Sequence, residues 1–199
     1  MIFQDKNNFV LSTKNTSYAF RVLDSGQLEH LHYGKKLHVN NADELKSLYE
    51  KHEFAPGNTC IYDQGHPQFS LEDMRLEISG EGKGDYREPF ICLEFANGSR
   101  TTDFVFQKAS VNKNKLPLKS MPASYDDDYA PQQLEVIMVE KNHKVKLHLL
   151  YTVFEERDVI AKSCIISNES DAAVKVKRLM SNQLDFFGTD KTMTTFTGS

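Results

Sequence analysis

The sequence has no tryptophan and only three cysteines among its 199 residues. Cys60, Cys92 and Cys164 lie far apart, and no two of them have the CxxC spacing that is typical of zinc and redox sites. An odd number of widely spaced cysteines also argues against a disulfide framework. We therefore expect reduced thiols and a cytoplasmic protein.

An excess of basic charge and long apolar runs are absent as well. Lys and Arg number 24 and Asp and Glu number 28, so the formal net charge is −4. A chain without a basic surface has little with which to neutralise phosphates, so we expect no nucleic-acid partner. No apolar run approaches the length of about 20 residues that a membrane-spanning helix needs. The first residues lack the basic and apolar regions of a secretory signal, so we expect no membrane association.

What the sequence does contain is hydrophobic alternation with a period of two, which is typical of half-buried strands. Each alternating stretch is bounded by residues that favour turns, and Ser25–Gln27 and Asn97–Ser99 are examples. Regularly spaced strands with few helices predict an all-β fold, an antiparallel sandwich that forms one domain over residues 1–199. The clearest predicted strands are residues 18–23, 134–140, 145–154 and 158–168.

Two segments depart from the period of two. Residues 40–52 start with Asn and Asp and carry Leu45, Leu48 and Tyr49 at helical spacing, which predicts a short surface helix. Residues 53–69 contain Pro and Gly at irregular positions, which predicts a long irregular loop. Such loops carry function more often than the strands that they connect.

The stretch GDYREPFICLEFANGSRTTDF, residues 84–104, predicts two strands around an Asn97-Gly98 turn. It also contains Asp85, Arg87, Glu88 and Asp103, a group of charges that resembles a site. Pro89 follows the first three and restricts the backbone at the start of a strand. We interpret Asp85, Arg87 and Glu88 as ion pairs that hold the entry to that strand.

Three histidines form the first candidate site. His30, His32 and His38 lie at even offsets, so on one regular strand they would share a face, as metal ligands do. No Asp or Glu is placed to complete a metal site locally. We therefore expect no metal and interpret the histidines as part of a half-exposed strand.

Acidic residues offer two further candidates. The run SYDDDYAP, residues 124–131, has carboxylates for a hard cation but lacks the glycine and the downstream Glu of an EF-hand, so we expect a solvated loop. In FEERD, residues 154–158, Glu155 and Glu156 are adjacent and would point to opposite faces of a strand, so they cannot form a glycosidase pair. A turn with an Arg–carboxylate ion pair is the better interpretation.

The sequence has no GxSxG, no Gly-rich phosphate loop and no HExxH motif. The residues by themselves therefore predict a β-sandwich without a catalytic set of its own, and we expect no cofactor.

Several segments, taken in order, resemble one known family. They are SYAFRVLDSGQLEHLHYGKKL, FSLEDMRLEISGEGKGDYREP, NGSRTTDF, LPLKSMPASY and VKRLMSNQLDF. Together they are similar to the N-terminal domain of family 36 glycoside hydrolases, the bacterial α-galactosidases also called melibiases. The resemblance extends over essentially the whole chain.

The resemblance implies a galactose-mutarotase-like β-supersandwich with one or two short helices, which precedes a catalytic (β/α)8 barrel in a longer bacterial enzyme. That enzyme would hydrolyse terminal α-galactosides such as melibiose, raffinose and stachyose with retention, by means of two barrel aspartates. The nucleophile of the family lies in a Lys-Trp-Asp motif. Since this sequence has no tryptophan, it contains no catalytic residue of that kind.

The resemblance also implies a homo-oligomer, a tetramer, in which a loop before FSL lines the active-site mouth of a neighbouring subunit. Here that loop corresponds to residues 54–69. Relatives often have an Asp-Arg pair shortly before FSL, whereas this chain has His66 and Pro67, so the family's contacts do not transfer directly. Asp63 and His66 are the nearest candidates for polar contacts with substrate.

Two other functions stay open. A stand-alone carbohydrate-binding sandwich would need exposed Phe or Tyr rings that stack on a sugar. An enzyme of the aldose-epimerase kind would need a His that faces a Glu across a concave sheet, and His148 is the only plausible donor.

Overall fold

The computed structural model describes residues 1–51, 60–118, 121–126, 128–186, 190 and 192–198. Within these residues the regular structure consists mainly of strands, numbered in chain order. They are β1 Ile2–Asp5, β2 Asn8–Ser12, β3 Thr16–Val22, β4 Leu28–Lys35, β5 Ile91–Phe95, β6 Phe104–Asn112, β7 Gln132–Glu140, β8 Val145–Phe154, β9 Val159–Asn168 and β10 Val174–Leu179.

The strands form antiparallel sheets in the orders β1-β2-β3-β4, β6-β7-β8-β9 and β10-β5. Alternate residues of these strands meet in one hydrophobic core, to which Phe20, Leu93, Val136 and Leu149 belong. Where one face of a sheet is buried more deeply than the other, as over the first residues of β8, side chains alternate in burial because successive ones point to opposite faces. The prediction of an all-β antiparallel sandwich is confirmed.

The helix predicted over residues 40–52 is shorter and of another type. A 3-10 helix spans Ala42–Leu48, and the side chain of Asn41 caps it by accepting a hydrogen bond from the Asp43 amide at 3.0 Å. Leu45 is buried against β2 and β3. Two single-turn 3-10 helices, Leu71–Asp73 and Glu155–Arg157, complete the helices in the described residues.

The hairpin predicted for residues 84–104 is wrong in its pairing. Gly98 has the positive φ of 80° that the turn requires, and Asn97 Oδ1 accepts from the Ser99 amide at 3.0 Å. Yet β5 pairs with β10, and β6 pairs with β7 in another sheet. After the turn the chain crosses between sheets, where the Thr102 amide donates to the Glu81 carbonyl at 2.9 Å.

A buried carboxylate joins the two four-stranded sheets. Glu77 accepts hydrogen bonds from Tyr18 Oη at 2.5 Å, Tyr151 Oη at 2.8 Å and His30 Nδ1 at 3.0 Å. Lys162 Nζ lies 3.1 Å from Glu77 Oε2, the oxygen that also accepts from Tyr151, and the side chain of Glu77 has no exposed surface. These partners come from β3, β8, β4 and β9, so one charge contacts both layers of the sandwich.

The partners of Glu77 determine its charge state. Burial by itself would raise the pKa of Glu77, but the Lys162 charge and the hydrogen bonds from His30 and Tyr18 outweigh burial and lower this pKa to about 2. Burial, together with the negative charge of Glu77, raises the pKa of both Tyr18 and Tyr151 well above the usual value. Glu77 is therefore a carboxylate, and both phenols stay neutral donors.

We expect Glu77→Gln to lower the free energy of unfolding by about 3–5 kcal/mol, because it leaves the buried Lys162 ammonium without its counter-charge. Urea unfolding of the 199-residue chain measures this. Glu72→Gln, a partly exposed position in the same segment, is the matched control and should change stability by less than about 0.5 kcal/mol. Equal unfolding midpoints for the two variants would contradict the role of Glu77.

We also expect the contribution of Glu77 to the free energy of unfolding to depend on pH in the acid range. The folded pKa of Glu77 is about 2, below the ordinary 4.5, so its contribution to stability is complete above about pH 5 and is lost as the pH falls towards 2. The shift corresponds to about 3 kcal/mol. The difference in unfolding free energy between wild type and Glu77→Gln should shrink over that interval. A difference that does not change between pH 6 and pH 3 would refute this.

Candidate functional site

Asp63 and His66 lie together in the described part of the predicted irregular loop. His66 Nδ1 donates to Asp63 Oδ1 at 2.8 Å, and the His66 amide donates to the same oxygen at 2.9 Å. The hydrogen bond from the His66 side chain is the main cause that lowers the pKa of Asp63. Residues 54–59 of the predicted rim lie outside the described residues.

Both side chains of the pair remain accessible. The side chain of Asp63 is 39% exposed and that of His66 is 28% exposed. One face of the His66 ring stacks on Phe69, with ring centroids 5.7 Å apart and an angle of 8° between the planes. A carboxylate and an imidazole held in this way can form hydrogen bonds with hydroxyl groups of a ligand.

The loop that carries the pair is closed on itself and packed on the sandwich. The Tyr62 amide donates to the Phe69 carbonyl at 2.7 Å, which joins the two ends of the loop. Tyr62 and Phe69 are buried in a separate small apolar cluster whose other members are Leu23, Leu71, Met74 and Leu76. The pair therefore lies on an ordered segment.

The charges of the segment 84–104 form a structural ion pair, as the sequence predicts for Asp85 and Arg87. Arg87 donates to both oxygens of Asp85 at 3.0 and 2.9 Å and to Asp185 at 2.7 Å. Its remaining N–H groups donate to the carbonyls of Met74 at 2.7 Å and Leu71 at 2.9 Å. The five donors of Arg87 thus hold three separate segments together and leave none for a ligand.

The prediction that His30 and His32 share a face is wrong. Phe20 pairs with His30 and its neighbour Ala19 pairs with His32, so Leu31 is an extra residue, a β-bulge, in β4. Adjacent residues of β3 point to opposite faces, and their partners therefore do as well. The bulge sends His30 inward to the buried carboxylate described above.

The other histidine of that strand and the third candidate do not join His30. His32 is hydrogen-bonded to the Lys35 carbonyl at 3.0 Å, and His38 lies beyond the end of β4. Across the described part of the chain, no group of three or more His, Cys, Asp and Glu side chains is arranged to hold a metal ion.

The two acidic stretches contact each other. Arg157 of the FEERD turn donates to Asp126 at 3.1 and 3.2 Å and to Asp128 at 2.6 Å. The predicted Arg–carboxylate ion pair is present, but its carboxylates come from the SYDDDYAP run instead of from the turn itself. Residue 127 lies outside the described residues.

His148, the candidate donor of an epimerase-like site, has a carboxylate partner within its own sheet. Its Nδ1 lies 2.8 Å from Glu135 Oε1 on the neighbouring strand β7. An epimerase-like site would need the acid and the base on opposite sides of a concave surface. This pair is a cross-strand contact.

Sequence reasoning missed the buried polar residues Glu77 and Tyr62, and it missed the contact of Asp103 with Tyr62. Glu77 had no clear local signal, because a Glu between Leu76 and Ile78 is also typical of a half-exposed strand. Asp103 accepts from Tyr62 Oη at 2.9 and 3.0 Å, across 41 residues of sequence. No local pattern reveals a contact of that range.

None of the helices in the described residues is long and apolar enough to cross a membrane.

Comparisons with known proteins agree with the fold. The bifunctional α-galactosidase/sucrose kinase AgaSK of Mediterraneibacter gnavus is 32% identical over 92% of this chain and 19% of its own length. The crystal structure of the α-galactosidase from Lactobacillus brevis superposes with a TM-score of 0.81 at 31% identity, over 90% of this chain and 24% of that one. A variant of the Geobacillus stearothermophilus α-galactosidase AgaA in complex with raffinose superposes with a TM-score of 0.80 at 26% identity. The superposition covers 90% of this chain and 24% of that one.

The chain thus spans about a fifth to a quarter of the length of these relatives. The family model described as the glycosyl hydrolase family 36 N-terminal domain matches residues 26–199. The chain belongs to that family of N-terminal domains.

Proposed function

We propose that this chain is the non-catalytic N-terminal domain of a retaining α-galactosidase that acts on terminal α-galactosides such as melibiose, raffinose and stachyose. The observation that carries the proposal is the extent of the match, which includes most of this chain but only a small part of each relative. The catalytic (β/α)8 barrel would belong to the remainder of a cytoplasmic bacterial enzyme.

The electrostatics of the interior support a non-catalytic role. Retention requires two carboxyl groups about 5 Å apart, one of which must carry a proton near neutral pH. Glu77 has a pKa of about 2 and is surrounded by donors, so it stays ionised and inaccessible. Asp103 is bound by Tyr62 and lies 3.3 Å from Lys141 Nζ. Glu77 therefore stabilises the fold and is a poor proton donor.

We expect the 199-residue chain to show no turnover of p-nitrophenyl α-galactoside, whereas the full-length enzyme hydrolyses it. The release of p-nitrophenolate measures this, with heat-treated enzyme as the blank. Turnover by the chain alone, at a rate that survives repurification, would refute the proposal.

The same sample discriminates the carbohydrate-binding alternative. Tyr125 is 85% exposed and Tyr129 is 54% exposed, and rings of this kind can stack on sugars. Tyr125 borders a cleft of about 260 Å³ whose apolar lining includes Leu116 and Phe154. Calorimetric binding of raffinose by the isolated chain, without turnover, would favour that function.

We further propose that the loop of Asp63 and His66 lines the mouth of a neighbouring subunit's active site in a homo-oligomer. The exposure of both side chains and their mutual hydrogen bond support this, because the Asp63 carboxylate and the His66 ring are held in a fixed arrangement with which hydroxyl groups can form hydrogen bonds. Such a rim would contact the sugar units beyond the galactose that is cleaved.

Asp63→Ala in the full-length enzyme should raise KM for raffinose and stachyose about 3–10-fold, since it removes one hydrogen-bonding group to substrate and the partner of His66. We expect little change for p-nitrophenyl α-galactoside, which lacks the outer sugars. Asp171→Ala, an exposed position between β9 and β10, is the matched control. Unchanged kinetics on all three substrates would contradict the rim contact.

A further inference from the structure

The loop of Asp63 and His66 has its own hydrogen-bonded framework. The Tyr62 amide donates to the Phe69 carbonyl, the Phe69 amide donates to the His66 carbonyl at 3.0 Å, and the His66 amide is bound by Asp63. Asp63 follows Tyr62 directly in sequence. Tyr62 is therefore directly connected, through the backbone and through this framework, to the segment that carries the pair.

The Tyr62 side chain is held by charged groups from three separate parts of the sandwich. The Tyr62 hydroxyl donates to Asp103, which precedes β6, and accepts a hydrogen bond from Lys141, which follows β7. Lys83 and Lys141 lie over the Tyr62 ring, with Nζ at 4.6 and 4.8 Å from its centroid. Cations at this distance from an aromatic face are attracted to it.

The carboxylate that accepts from Tyr62 is itself fixed. Asp103 also accepts from Gln27 Nε2 at 3.2 Å, and its amide donates to the buried Glu140 at 3.2 Å. Tyr62 and Asp103 are only 3% and 7% exposed, so water competes little for these hydrogen bonds. A buried, charge-assisted hydrogen bond of this kind is among the stronger polar contacts in a protein.

We propose that the Tyr62 hydroxyl is a positioning group, which orients Asp63 and His66 through its hydrogen bonds to Asp103 and Lys141. The inference rests on the proposed function, in which the pair contacts the outer sugars of an α-galactoside. Tyr62 itself is buried and touches no substrate. It acts on the affinity for oligosaccharides through the placement of its neighbour.

Tyr62→Phe in the full-length enzyme tests this, because it removes the hydroxyl and keeps an aromatic ring beside the two lysines. We expect the amides of Tyr62, His66 and Phe69 to exchange hydrogen about 5–10-fold faster, with β8 unchanged as the folding control. KM for raffinose and stachyose should rise about 3–10-fold, with kcat and the kinetics on p-nitrophenyl α-galactoside unchanged. Tyr86→Phe, whose residue is 72% exposed, is the matched control.

The outcomes separate this inference from the rim function. Positioning is supported if Tyr62→Phe gives faster amide exchange and a higher KM for raffinose and stachyose, and if adding Asp63→Ala does not raise that KM further. Unchanged exchange overturns the inference whatever Asp63→Ala does. Faster exchange with an unchanged KM, while Asp63→Ala alone raises KM, overturns positioning and leaves the rim function intact. If neither variant changes KM, the rim function fails and the inference fails with it.

Discussion

The architecture depends on one buried negative charge. Glu77 has no exposed surface, and an unpaired carboxylate in such a place would cost several kcal/mol. Tyr18, Tyr151, His30 and Lys162 together supply the donors that make its burial tolerable. Since they come from strands of both four-stranded sheets, the arrangement is satisfied only when those sheets are stacked in one way. Apolar burial favours a compact sandwich, and this charge selects the relative position of the layers.

The same principle recurs towards the surface. Arg87 holds Asp85, Asp185 and two backbone carbonyls, and Asp103 holds Tyr62 under two lysines. Charges that look catalytic in the linear sequence thus connect irregular segments to the sheets. Their role agrees with the proposed non-catalytic function, while the side chains of Asp63 and His66 remain partly exposed.

Much of the fold could be predicted because strand formation is a local matter. Burial of one sheet face imposes alternation on each strand, and the predicted strand over residues 145–154 coincides with β8. The resemblance to family 36 likewise follows from local motifs and agrees with the family match over residues 26–199. For the candidate site, the irregular positions of Pro and Gly indicated the loop, and Asp63 and His66 were identified within it as candidate polar residues.

The sequence by itself therefore determined the fold class, the positions of most strands and turns, and the family. Only the tertiary structure decided that β5 pairs with β10 instead of β6, because the Asn97-Gly98 turn is compatible with a hairpin and with a crossing between sheets. Only the tertiary structure showed that His30 and His32 point to opposite faces of the sheet, because a β-bulge changes the face to which the following residues point and leaves no trace in the composition. It also brought Tyr62 to Asp103 and placed four donors around Glu77. Contacts between residues distant in sequence depend on how sheets stack, which local periodicity does not encode.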